Sequence, residues 1–150
     1  MFKKASYVGL LGIIVVVVCV LTLCNSLPIG PIVVGITAVP VLGLVFAKRP
    51  LTRAIPDFVF GSIDTGLLTI PALWGGIEFG VAGAIAGGVV GDAVTDSVAG
   101  FFEGSIAEWL RKKGVVESRE PLTTSLGKMA GCLFGSGIVL TIALAIGIKP

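Results

Sequence analysis

Apolar residues in this chain come in long unbroken runs, without the alternation of a strand or the polar stripe of a half-buried helix. The runs cover 5–24, 29–47, 56–74, 77–101 and 129–148. Each approaches or exceeds the roughly 20 apolar residues that a bilayer-crossing helix requires. The first, centred on Val15 to Val18 behind Lys3 and Lys4, is longer than the roughly 7–15 apolar residues of a signal peptide. No small-x-small site follows it, and Leu23 puts a bulky residue before Cys24, so it reads as a retained anchor. The second run contains Pro31 and Pro40 and is expected to kink near Pro40. The third opens at Pro56, a residue suited to a first helical turn. Gly75-Gly76 offers a reversal into the fourth, whose amphipathic continuation, Phe102 to Lys113, carries Trp109 as an interfacial anchor. A polar stretch, Gly114 to Gly127, precedes the last run.

The polar residues between the runs orient them. With the N-terminus in the cytoplasm, residues 1–4 and the loops 48–55 and 102–128 face inward. They hold Lys3, Lys4, Lys48, Arg49, Arg53, Arg111, Lys112, Lys113, Arg119 and Lys128, ten of the 11 basic residues. Only Lys149 falls outside, the asymmetry that the positive-inside rule describes. The expected architecture is an all-α, polytopic integral membrane bundle in the cell membrane, one domain over 1–150. Five transmembrane helices are favoured, with four plus a re-entrant pair as the alternative.

Composition strengthens the membrane reading and narrows the chemistry. Hydrophobic residues make up 55% of the chain and charged ones 13%, where soluble domains carry about 25% charge. A formal charge of +2 gives nothing with which to bind nucleic acid, and the expected surroundings are the lipid bilayer. The absence of histidine removes His-based triads, imidazole metal sites and the usual pH switch. Cys19, Cys24 and Cys132 lie in apolar runs with no CxxC spacing and read as small buried hydrophobes.

Five carboxylates interrupt the apolar stretch from Phe58 to Gly104: Asp64, Glu78, Asp92, Asp96 and Glu103. An acid at mid-membrane costs about 2.5–3.5 kcal/mol on insertion scales, so it marks a site by default. Asp64, eight residues after Pro56, and Asp92, nine before Phe101, come out about 12–13 Å from the same side at 1.5 Å per residue. Asp96 and Glu103 continue the Asp92 face toward the cytoplasm. Asp64, Asp92, Asp96 and Glu103 are therefore candidates for handling a cation or a proton. Asp64, Asp92 and Asp96 are the candidate ligands of a divalent cation such as Mg²⁺, Ca²⁺ or Mn²⁺, with Ser62, Thr65 and Thr95 as added oxygens. Glu78, near the other end of its helix, reads as solvated.

Two glycine series supply a packing signal: Gly83, Gly87 and Gly91, then Gly127, Gly131 and Gly135. Such spacing lets helix backbones approach closely. Its simplest use is to pair the fourth helix with the fifth; the alternative is self-association, so a homo-oligomer or other membrane subunits are the expected partners. Gly88 to Asp96 fits GxxxDxxxD and is similar to the latter half of the CDP-alcohol phosphotransferase motif. The upstream Asp-Gly and Ala-Arg are missing, where Gly75 to Gly80 stands instead. No P-loop or dinucleotide fingerprint is present, and no catalytic residue is assigned. Two function classes remain: a cation- or proton-handling permease or channel component, and a non-catalytic subunit of a larger membrane complex.

Overall fold

A computed structural model describes residues 2–112 and 120–148, without the side chains of 99, 102–107 and 109–111. Trp109, Arg111, Lys113, Arg119 and Lys149 thus lie wholly or in their side chains outside the described residues, as does the side chain of Glu103. The described residues are helical and contain no strand: α1 (Phe2–Cys24), α2 (Ile29–Ile36), α3 (Ala38–Phe46), a short 3₁₀ turn (Leu51–Ala54), α4 (Ile55–Lys112) and α5 (Pro121–Ala145). Four helical stretches are long and apolar enough to cross a membrane, with α2 and α3 together forming one.

The surface is apolar to an extent that water would not tolerate. Leu10, Val16 and Val89 are 56%, 61% and 64% exposed, while a small core of Leu44, Ala54, Leu122 and Leu126 holds the polar end together. Lipid supplies no hydrophobic drive between helices, so close backbone contact and polar links must do that work.

The break between α2 and α3 falls at Thr37, whose backbone remains helical at φ −52°. Pro40 explains it. Proline has no N–H for the carbonyl four residues back and its ring crowds that carbonyl, so the distortion appears one turn before the proline.

The α4 helix is not one rod. Gly80 adopts φ 67°, ψ −151°, a region that is essentially glycine-only, and the chain folds back there. Gly83 lies against Gly75, Gly87 against Pro71 and Gly91 against Leu68, so the arms 55–79 and 81–112 run antiparallel. This corrects the expected turn at Gly75-Gly76. Those glycines are inside the helix, and a Cβ on Gly75 would collide with the Gly83 carbonyl.

The α5 helix is the hub. It runs parallel to the 55–79 arm, with Gly127 on Ala54 and Asp57, Gly131 on Phe58 and Gly135 on Ser62. It runs antiparallel to α2, with Gly30 against Leu140 and Thr141 and Gly137 against Val34. Both glycine series therefore lie against the same 55–79 arm from different sides, which corrects the expected pairing of the fourth helix with the fifth. The α5 helix also starts at Pro121 rather than near 129. Pro121 occupies its first turn, and Leu122 and Leu126 bury themselves among Thr123, Thr124 and Ser125.

Candidate functional site

On the 55–79 arm, the residues facing the second arm form a helical stripe: Gly75, Pro71 and Leu68 meet Gly83, Gly87 and Gly91. Stepping back by four from Leu68 reaches Asp64; stepping on by four from Gly91 reaches Thr95. Each residue continues its own arm's contact stripe, and there the close glycine approach ends. The arms leave a groove of about 400 Å³ lined by Asp64 and Thr95. Among the described residues, its remaining walls are hydrocarbon: Phe60, Ile63 and Leu67 from one arm, Val94 and Val98 from the other.

Asp64 is 8% exposed. Among the described residues, two buried side-chain polar atoms have no hydrogen-bond partner, Asp64 Oδ1 and Arg49 Nε. The Ser62 and Thr95 hydroxyls are turned to backbone: Ser62 donates to the Phe58 carbonyl at 2.7 Å and Thr95 to the Asp92 carbonyl at 3.3 Å. A buried carboxylate without a donor is costly while ionised. A cation beside the group would offset that cost. On the α5 side, the Lys128 ammonium sits 4.9 Å from the centroid of the Phe60 ring.

The other candidate acids are placed differently. By the hairpin register, Asp92 stands opposite Leu67, about 4.5 Å further along the arm than Asp64, close to the expected level. Asp92 and Asp96 are nevertheless exposed, and neither lines the groove. The cause is rotation: Gly91 faces the first arm, and each following residue turns about 100° round a helix of 3.6 residues per turn. Among the described residues, no group of three His, Cys, Asp or Glu side chains could hold a metal ion. The expected set of Asp64, Asp92 and Asp96 is thus not assembled as a divalent site. Glu78 is exposed, as expected, and so is Cys24, unlike the buried hydrophobe expected there. Cys132 packs its sulfur against Gly61.

A polar cluster that the charge pattern alone did not single out closes the end of the bundle at which the 55–79 arm begins. Lys4 Nζ and Arg49 Nη2 approach Glu120 Oε1 at 2.8 and 3.1 Å, and Thr123 donates to Glu120 Oε2. The Lys4 hydrogen bond, then that of Thr123, holds the Glu120 carboxyl below its ordinary value, with the Arg49 charge assisting and burial opposing. The sequence signal was Glu120-Pro121-Leu122-Thr123: an acid before a first-turn proline, with a hydroxyl three residues on. The cluster ties α1 and the α3 exit to the start of α5.

Comparison of the sequence with protein-family models and with curated proteins gives no match, and comparison with solved structures gives none either.

Proposed function

We propose that this protein is a small multi-pass component of the cell membrane that handles protons or cations through Asp64. The observation carrying this reading is a buried carboxylate oxygen without a partner, about 13 Å along its helix from Ile55, beside a groove between two helical arms. A hairpin folded at Gly80 supports five crossings, since the 55–79 arm alone is about 37 Å long at helical rise. The cluster of Lys4, Arg49 and Glu120 marks the cytoplasmic end, on the positive-inside argument.

The test is proton and alkali-cation flux into vesicles containing the purified full-length chain. The parent should dissipate an imposed gradient. D64N keeps the shape and removes the charge, and should fall to the rate of empty vesicles; E78Q should behave as the parent. Equal flux through parent and D64N would defeat the reading.

A second reading, a subunit within a larger membrane assembly, draws on a separate observation. The 81–98 stretch rests on the 55–79 arm and leaves Asp92 and Asp96 on its exposed side. Carboxylates on a lipid-facing surface are unfavourable, which favours coverage of that side by another copy or another subunit. Both readings can hold together.

A further inference from the structure

A second groove, of about 610 Å³, opens between α1 and the start of α5. Among the described residues, Lys4, Ala5, Val8 and Gly9 line it from α1, and Leu122 and Ser125 from α5. The two helices run parallel there: Lys4 bonds Glu120, just before α5, and Gly12 lies against Met129. Space is left because Ala5 and Gly9 carry little or no side chain, and a Cβ added to Gly9 would meet nothing within 4 Å. From Lys4 to Gly9 the groove runs about 7.5 Å along the helix, away from the polar end of the bundle. Its first step is cationic. The Lys4 side chain is 50% exposed, and of the three donors of an ammonium one is committed to Glu120. Lys4 and Arg49 share that single carboxylate, which leaves the trio with a net positive charge. Lys3 and Lys48, their neighbours in the chain, are exposed as well. Beyond Lys4 the α1 wall is hydrocarbon. Across from it, Ser125 is exposed, and its hydroxyl has no partner among the described residues.

A groove that is cationic at the membrane surface and hydrocarbon below it complements a phosphate ester carrying an acyl chain. A free inorganic anion would leave Ala5 and Val8 uncovered. We propose that this groove binds an anionic phospholipid, with the phosphate on Lys4, an ester carbonyl accepting from Ser125 and an acyl chain along Ala5, Val8 and Gly9. The positive-inside argument puts this end of the bundle in the cytoplasm, and the cytoplasmic leaflet holds the anionic lipids that basic residues attract. The inference is independent of the role proposed for Asp64.

Thermal melting of the purified full chain in zwitterionic micelles tests this. Dioleoylphosphatidylglycerol is the anionic probe, and dioleoylphosphatidylcholine the lipid with the same chains and no net charge. A ligand that binds only the folded state raises the melting temperature. Half-maximal stabilisation should need at least about fivefold less phosphatidylglycerol than phosphatidylcholine, because one basic residue near an anionic surface contributes about 1 kcal/mol. K4Q should lose this preference and K4R should keep it. K4Q also gives up the tie to Glu120, so G9L supplies an independent check. Its Cβ meets nothing within 4 Å, every charge stays in place, and leucine is the better helix former. Without lipid G9L should melt at least as high as the parent, and it should lose the response to phosphatidylglycerol. An equal response to the two lipids, or an undiminished preference in K4Q or in G9L, overturns the inference. A rise of the same size with inorganic phosphate also overturns it, since the site would then take a free anion.

Discussion

Replacing Gly131 with alanine should cost far more than the same replacement at Gly88. A Cβ on Gly131 would sit 2.8 Å from the Phe58 carbonyl carbon and 3.0 Å from its Cα, and would collide with the carbonyl oxygen. These are backbone atoms, so no side-chain rotation relieves the clash. Carbon contacts are optimal at about 3.5–4.0 Å, so α5 and the 55–79 arm must part by roughly 0.7–1 Å. A gap of that size forfeits about a quarter to a half of each contact it opens, and its neighbours Gly127 and Gly135 lie on the same seam. Overpacking costs about 1–3 kcal/mol, and backbone against backbone belongs at the upper end. At Gly88 the nearest atom to an added Cβ is the Ala72 Cβ at 3.8 Å, an ordinary contact. Alanine there gains up to about 1 kcal/mol of helix propensity. The two variants should therefore differ by about 3 kcal/mol, on the order of a hundredfold in the folding equilibrium. Unfolding in mixed micelles with rising SDS, followed by helicity, measures it. Equal loss at both sites, or a G131A protein as stable as the parent, would show that the seam between α5 and the 55–79 arm is not close-packed.

Acid should loosen the end of the bundle built on Glu120. Its folded-state pKa is lowered from 4.5 by the bonds from Lys4 and Thr123 and by the Arg49 charge. The stabilisation is therefore present above the unfolded value and is lost as pH falls through the folded one. Melting curves recorded from neutral to acidic pH should show a decline that E120Q flattens; an unchanged acid limb would count against the cluster. Cysteine labels at Phe79 and Leu51 should react from opposite sides of the membrane, with Leu51 accessible from the side of Lys4. Labelling of both from one side would make the hairpin re-entrant. D92N combined with D96N should shift the assembly size of the purified protein while leaving Asp64-dependent flux intact; an unchanged size would remove the support for a covered acidic face.

The apolar runs made the helices legible because a segment that buries its own backbone hydrogen bonds in lipid needs length and hydrophobicity and little else. Pro40 likewise announced its kink. What the letters did not settle was rotation and turn placement. Gly75-Gly76 and Gly80 look alike as permissive residues, and the turn is decided by which glycine is already committed to a helix contact. Asp64 and Asp92 share chemistry and approximate depth, yet only Asp64 continues a contact stripe. That signal was present: four residues after Gly91 comes Thr95, not Asp92. The start of α5 was obscured because Thr123, Thr124 and Ser125 read as loop, although Pro121 marks a first turn.

The central place of α5 has a consequence for how the molecule comes to be assembled. Leu126 is 0% exposed, Gly30 rests on Thr141, and Phe58 on Gly131. The helix on which α2, α3 and the 55–79 arm lean follows them in the chain. During synthesis, α1 to the end of α4 enter the bilayer before the surface that gathers them exists. Until α5 arrives, Gly30, Gly61 and the Phe58 backbone face lipid, and the acidic partner of Lys4 and Arg49 has not been made. A chain halted at residue 112 would hold the hairpin of α4 without the surface that joins it to α2 and α3. Insertion and assembly of these helices are thus separated in time, with the joining of α2, α3 and the 55–79 arm reserved for α5.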